Sequence, residues 1–192
     1  MPNTLKIGIL VVGALAQLAV PVWMIAGKER TLREGLPFKF RTAPVDPADV
    51  FRGRYVALAF EAQTAPVPEG MVLGYDDVVY AVVEADEDGF AKIASLALTP
   101  PSVPNHMKIR VSYVNYDEKT VQLIFPFDRF YMEESFAPAA EQAYFANRNM
   151  RGEPAKTYAL VRILNGDSTI ENLYIDDIPI RDFVLQQEIP QP

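Results

Sequence analysis

The chain has 192 residues, of which 49% are hydrophobic and 22% charged, as expected of one folded domain with a small appendage. Its net charge of −7 comes without a cluster of Lys and Arg, which argues against binding to nucleic acid. The sequence has no Cys, which excludes disulfides, thiolate metal sites and Cys nucleophiles, and its single His, His106, excludes sites that need two imidazoles.

The first element is an apolar run, Ile7–Ala26, in which Gln17 is the only strongly polar side chain. Twenty residues in a helix rise about 30 Å, the thickness of a bilayer core, and Trp23 is suited to the interface. The run predicts an uncleaved transmembrane anchor over residues 1–27, followed by a linker at 28–35. Two alternatives remain: a signal peptide cleaved near Ala14–Ala16, and a buried helix of a soluble protein.

The charges flanking this run give two answers about orientation. Lys6 precedes it, whereas Lys28, Arg30 and Arg33 follow it, and a count of basic residues alone places the C-terminal domain in the cytoplasm. A short tail before one apolar span is instead typical of signal-anchors that export the domain on their C-terminal side. We expect a single-pass membrane protein with an extracytoplasmic domain.

The remainder, residues 36–192, consists of short alternating runs separated by turn residues, which predicts an antiparallel β sandwich or barrel-like domain. Three hairpins are expected, with turns at Asp86–Gly89, Asp117–Glu118 and Asn165–Asp167. Within Phe136–Met150 the Ala, Glu and Gln content predicts one short α-helix beginning after Pro138. The predicted fold class is therefore mainly β, with an N-terminal transmembrane helix and one short α-helix.

The stretch PVDPADVFRGRYVALAFE, Pro44–Glu61, has the densest pattern in the chain. Asp46 is placed to cap a single helical turn and Gly53 to end it with positive φ. Alternation in the adjoining strand puts Leu58 and Phe60 on the core face and Tyr55 on the opposite face. Most of the pattern is thus explained by local structure.

The segment GRYVALAF, Gly53–Phe60, resembles the motif of the GDYXXLXY family of bacterial membrane-anchored proteins. Gly53, Tyr55 and Leu58 match, whereas Arg54 replaces the motif's Asp and Phe60 its last Tyr. Loss of that carboxylate and that phenol argues against a catalytic role for either position. The resemblance implies an unknown biochemical activity and a multi-pass membrane protein as partner.

These observations favour a cell-envelope protein that is not an enzyme and that binds a membrane partner through the segment Asp46–Phe60. Arg52 and Tyr55 are the expected contact residues, with Arg129 and Glu133 as a second patch. The full set of motif and interaction residues is Asp46, Arg52, Gly53, Tyr55, Leu58, Phe60, Arg129 and Glu133. No catalytic residue, metal ligand or cofactor is assigned. The alternatives are an envelope hydrolase with a Ser-based or acid-based site, and a sensor domain that binds a small ligand.

Three further features are candidate sites. The lone His106 is expected to be a surface or core residue rather than a general base. Asp176 and Asp177 are expected to form an acidic turn rather than a cation site. The segment DRFYMEES, Asp128–Ser135, is either a solvated rim or a docking surface anchored by Phe130 and Tyr131.

Overall fold

A long N-terminal helix leads into a domain of antiparallel strands in the computed structural model, which describes residues 3–43, 55–147 and 156–188, the side chains of residues 3–9, 11, 15 and 188 excepted. The elements in chain order are α1 Asn3–Glu34, β1 Leu36–Ala43, β2 Tyr55–Ala57, β3 Ala59–Phe60, a 3₁₀ turn Glu61–Gln63, β4 Thr64–Pro66, β5 Val78–Ala85, β6 Ala91–Ala97, β7 His106–Asn115, β8 Thr120–Ile124, β9 Arg129–Tyr131, α2 Ala137–Asn147, β10 Thr157–Leu164, β11 Asp167–Ile175, β12 Ile178–Pro179 and α3 Ile180–Glu188. The mainly β class is confirmed.

Within the described residues the strands form three sheets. One five-stranded sheet has the order β12-β11-β10-β1-β3, a second has the order β4-β8-β7-β5-β6, and β2 pairs with β9 in a two-stranded ribbon. Neighbouring strands in all three sheets run antiparallel. Buried side chains of both large sheets belong to one hydrophobic core. The two large sheets therefore enclose the core of a single domain.

The large sheets meet at their margins. Lys39 of β1 makes a bridge with Phe90, and Met107 of β7 makes one with Gly166. At the first junction the guanidinium of Arg41 lies 4.1 Å from the centre of the Phe90 ring and donates to Asp86 at 2.7 Å. Burial opposes ionisation of Asp86, but the N–H of Phe90 and the charge of Arg41 outweigh it and keep the pKa of this carboxyl below its usual value. The junction is thus held by a charged group packed on an aromatic ring.

The three hairpins are formed as their turn residues predict. β5 pairs with β6, β7 with β8, and β10 with β11. In the first turn, Asp86 Oδ1 accepts from the N–H of Asp88 and of Phe90. In the third, Asn165 and Gly166 both have positive φ, 49° and 99°, as a two-residue turn between twisted strands requires.

The short helices differ in part from expectation. α2 begins at Ala137, two residues before the predicted start, and its small residues Ala140 and Ala143 are buried. α3 was not predicted, so the expectation of a single short helix is wrong. The sequence does carry a signal for this helix: Ile180 and Val184 are apolar and four residues apart, the spacing of one helix face. Both side chains are buried in the structure.

α1 extends well beyond the predicted apolar run. Most of the segment 28–35, which was expected to be a linker, is helical, because α1 continues through Glu34. Good helix formers fill this segment, and ion pairs Arg30–Glu34 and Glu29–Arg33 link successive turns at 2.8 Å. Among the described residues, no helix is both long enough and apolar enough to cross a lipid bilayer.

The last two turns of α1 are fastened to the β domain. Lys28 Nζ donates to the carbonyl oxygen of Ser168 at 3.0 Å, and Thr31 is buried. Gly35 ends the helix: its N–H donates to the Thr31 carbonyl at 2.9 Å, and its own carbonyl accepts from Arg162 at 3.2 Å. Strand β1 starts at the next residue. The helix and the sheet therefore join without a flexible segment.

This junction has no room for a side chain at residue 35. A Cβ there would clash with the Thr31 carbonyl and lie 3.1 Å from Arg162 Cβ. We expect Gly35→Ala to lower the free energy of unfolding by about 1–3 kcal/mol, because the backbone has to shift. Chemical denaturation of the full chain in detergent measures this.

Gly27 supplies the matched control, since a Cβ there meets nothing within 4 Å. Gly27→Ala should leave stability unchanged or raise it by up to about 1 kcal/mol, because Ala is the better helix former. Equal stabilities for the two variants would contradict a tight junction at Gly35.

Tyr158 of β10 is the centre of an aromatic and charged cluster. Its ring stacks on Tyr174 at 4.9 Å, Lys39 Nζ lies 4.8 Å from its centre, and its hydroxyl donates to Asp177 Oδ1 at 2.8 Å.

Asp176 and Asp177 form the turn between β11 and β12, both with positive φ. No cluster of three potential metal-ligating side chains occurs in residues 3–43, 55–147 and 156–188.

Burial and the neighbouring Asp177 raise the pKa of Tyr158 above its ordinary value. The unfolded chain loses this proton near pH 10 whereas the folded chain keeps it, so stability from Tyr158 is complete below pH about 10 and declines above it. We expect the stability difference between wild type and Tyr158→Phe to shrink by up to about 1.4 kcal/mol per pH unit above 10. Urea unfolding of both proteins at a series of pH values measures this difference, and a difference that stays constant above pH 10 would contradict the prediction.

Candidate docking site

The motif strand changes partners at Leu58. Before it, β2 pairs with β9, and after it, β3 pairs with β1. Leu58 itself donates its N–H to the Asp128 carbonyl at 2.8 Å, which extends the ladder of the ribbon. One short segment therefore ties the two-stranded ribbon to a five-stranded sheet.

The inward face of this segment belongs to the core. Val56, Leu58 and Phe60 are buried, as alternation predicts, whereas Tyr55 and Ala57 are only partly buried. Leu58 and Phe60 consequently shape the segment and are not available for contact with a partner. Of the motif positions that the structure describes, Tyr55 is the one whose side chain points away from the core.

Phe60 is one of four mutually contacting Phe rings, the others being Phe40, Phe125 and Phe127. All six ring-centre distances lie between 5.2 and 5.9 Å. Most of these pairs meet edge to face, the arrangement that aromatic quadrupoles favour. The cluster joins β1, β3 and the segment between β8 and β9.

We expect Phe60→Ala to lower the free energy of unfolding by about 3–5 kcal/mol, because it opens a cavity beside three buried rings. The matched truncation Tyr131→Ala, at an exposed ring of the adjacent ribbon, should cost less than about 1 kcal/mol. Denaturant titration of both variants measures the two values. Similar losses for the two would show that the ring cluster is not the main support of the motif strand.

The outward side of the ribbon carries what we term the Tyr55 face, formed by Tyr55, Ala57, Arg129 and Tyr131. Tyr55 is opposite Tyr131 in the register, with ring centres 5.5 Å apart, and Ala57 is opposite Arg129. The guanidinium carbon of Arg129 lies 5.0 Å from the centre of the Tyr55 ring, a cation–π contact. Tyr131 is 64% exposed. The face thus presents two aromatic rings and one cation to the outside.

Arg129 is held in place by its neighbours. A side-chain hydrogen bond with Tyr131, followed by the charge of Asp128, raises the pKa of this already basic guanidinium. The nearest atoms of Arg129 and Asp128, Nε and Oδ1, are 3.6 Å apart. Arg129 is therefore a permanent positive charge on this face, with part of its guanidinium exposed to solvent.

The other predicted contact residues are placed differently. Glu133 is exposed, and its carbonyl oxygen accepts from the N–H groups of Phe136 and Ala137 just before α2. Phe130 is opposite Val56 in the register and packs partly buried against the core, which does not favour the alternative in which it anchors a docking surface.

The remaining predicted motif residues, Asp46, Arg52 and Gly53, lie outside the described residues.

His106 has a structural role. Its side chain is buried, its Nδ1 lies 2.5 Å from the carbonyl oxygen of Val103, and its ring packs edge-on against Tyr80. It lies beside Gly166, where the bridge between Met107 and Gly166 joins the two large sheets. This agrees with the expectation of a surface or core residue.

The sequence pattern puts Tyr55 and Arg129 in separate patches and offers Tyr131 only as an anchor of the alternative docking surface at Asp128–Ser135. Alternation in Arg129–Tyr131 already puts those two side chains on one face. What the sequence lacks is the pairing partner: β2 and β9 are separated by more than seventy residues, so no local pattern indicates that they are neighbours.

These features define an antiparallel β domain, carried on one long helix, with a surface-exposed aromatic ribbon built from its motif strand. The model of the GDYXXLXY protein family matches residues 17–173, which include α1 from Gln17 onward and most of the domain. The chain belongs to this family. Neither the curated proteins nor the solved structures contain a significant match.

Proposed function

We propose that this chain is a membrane-anchored protein of the bacterial cell envelope that binds an extramembrane segment of a multi-pass membrane protein. The Tyr55 face is the binding surface. The observation that carries the proposal is the pair formed by the partly buried Tyr55 and the exposed Tyr131, with the Arg129 guanidinium over the Tyr55 ring.

The chemistry of this face supports recognition rather than folding. Tyr and Arg are the residues most enriched at the energetic centres of protein interfaces, because they combine large contact area with hydrogen bonding. The cation–π contact and the neighbouring Asp128 already orient Arg129, so little side-chain entropy is lost on binding. A partner segment with an aromatic or aliphatic side chain beside a carboxylate would complement this face.

The membrane part of the proposal is supported by α1. Its large apolar side chains are strongly exposed, from 58% at Val20 to 78% at Trp23. They surround the helix axis instead of forming one stripe, which is typical of helices in lipid rather than of helices on a soluble domain. The apolar run in the sequence begins at Ile7. We propose that α1 is a single-pass anchor and that the β domain is extracytoplasmic.

The hydrolase alternative finds less support in the described residues. Ser168 is buried, and its hydroxyl has no hydrogen-bond partner there. Ser95, Ser102 and Ser135 are exposed on separate elements. The Nδ1 of His106 is hydrogen-bonded to the carbonyl oxygen of Val103 and not to a serine.

One groove favours the ligand-binding alternative. It has a volume of about 340 Å³ and lies between the segment after β4 and the β7–β8 turn. Met71 and Leu73 form part of its apolar lining, and Tyr116 closes it by donating its hydroxyl to the Leu73 carbonyl at 3.0 Å. A small apolar molecule would fit this site, which lies outside the Tyr55 face.

The proposal is tested by purifying the full-length chain in mild detergent from its own cells. We expect a multi-pass membrane protein to be recovered with wild type and to fall by about tenfold or more with Tyr131→Ala or Arg129→Ala, as for central interface residues. Both variants should keep the wild-type melting temperature, because both side chains are exposed.

Tyr113 and Arg110 on β7 provide matched controls. Tyr113 is 64% exposed, as Tyr131 is, and Arg110 pairs with an exposed Asp76. Tyr113→Ala and Arg110→Ala should leave partner recovery unchanged. Recovery that falls equally for all four variants, or no partner with wild type, would remove the support for the Tyr55 face.

A further inference from the structure

A groove separates the last apolar turn of α1 from the β10–β11 hairpin. Its volume is about 430 Å³, and Trp23 and Met24 of α1 lie across from Leu164 at the end of β10. Lys28 and Arg30 line it on the helix side, and Asp167 lines it on the hairpin side. Its lining therefore combines apolar side chains with charges of both signs.

The charged groups in the groove have unused bonding capacity. An ammonium has three N–H donors, and Lys28 uses one of them on the Ser168 carbonyl at 3.0 Å. Arg30 Nε donates to Glu34 at 2.8 Å, which leaves the four terminal N–H donors of the guanidinium. In the part of the chain that the structure describes, the carboxylate of Asp167 takes part in no hydrogen bond and no ion pair.

We propose that this groove binds the headgroup of an aminophospholipid such as phosphatidylethanolamine. The phosphodiester fits Lys28 and Arg30, because both offer donors to anionic oxygens. The primary ammonium of the headgroup fits the unpaired Asp167 carboxylate. The glycerol and upper acyl carbons fit the apolar side chains of Trp23, Met24 and Leu164. The charge pattern of the groove thus matches a zwitterionic headgroup with a hydrogen-bonding cation.

The position of the groove along α1 supports a lipid as occupant. Trp23 is part of the apolar run, and Lys28 lies five residues further along, a rise of about 7.5 Å along the helix. That is the separation between the edge of the acyl region and the headgroups. The inference rests on the proposed membrane anchor, but it adds selectivity for one headgroup, which an anchor alone does not require.

Trp23 is the only Trp in the chain and lines the groove, so its fluorescence reports occupancy directly. The full-length protein in non-ionic detergent is titrated with short-chain phosphatidylethanolamine, phosphatidylglycerol and phosphatidylcholine of equal acyl length. We expect a saturable change in Trp23 emission, with half-saturation at about tenfold lower concentration for phosphatidylethanolamine than for the other two lipids.

Two variants separate the two charges of the site. Lys28→Gln should raise the half-saturation concentration for phosphatidylethanolamine and phosphatidylglycerol alike, by about fivefold or more. Asp167→Asn should abolish the preference for phosphatidylethanolamine over phosphatidylglycerol. The matched control is Arg33→Gln, since Arg33 is exposed on the same helix, pairs with Glu29 and lies outside the groove. It should bind all three lipids as wild type does.

Equal binding of the three lipids, or equal effects of Lys28→Gln and Arg33→Gln, would overturn the headgroup site. Flotation of the full-length protein with phosphatidylcholine vesicles tests the proposed membrane anchor separately from the headgroup site. A chain that floats but shows no headgroup preference refutes only the groove, whereas a chain that does not float refutes the anchor on which the inference rests.

Discussion

The packing of four Phe rings is the interaction on which the rest of the domain depends. Phe40, Phe60, Phe125 and Phe127 come from three separate parts of the chain, and every pair among them is in contact. Buried rings of this size contribute more apolar area than other core side chains. They fix β3 against β1 and, on the other side, fix the segment that leads into β9. The ribbon that carries the Tyr55 face is positioned as a result.

Residues of the GDYXXLXY motif therefore alternate along one strand between two roles, packing in the core and facing outward. Its inward residues, Val56, Leu58 and Phe60, hold the strand in the core, and its Tyr55 is left to face outward. A Phe at position 60 is well suited to this role, because a ring among three other Phe rings needs no polar group. The departure from the motif at this position is thus compatible with an intact fold.

Local patterns in the sequence predicted local structure well. The hairpin turns at Asp86–Gly89 and Asn165–Asp167 were correct because their backbone angles depend on the turn residues themselves. The end of α1 was missed because residues 28–35 were interpreted as a linker, whereas ion pairs and contact with β10 and β11 extend the helix. Tyr55 and Arg129 were predicted to belong to two separate patches, since they become neighbours only through a strand pairing that spans most of the domain.

The direct passage from α1 into β1 has a mechanical consequence. Because Gly35 is closely packed and Lys28 is bonded to Ser168, we expect the helix and the domain to move as one body. If α1 lies in lipid, its tilt responds to the thickness of the hydrocarbon layer, and single helices tilt by about 20° on average. The same rotation is then imposed on the β domain, so membrane thickness sets the height and direction in which the Tyr55 face is presented.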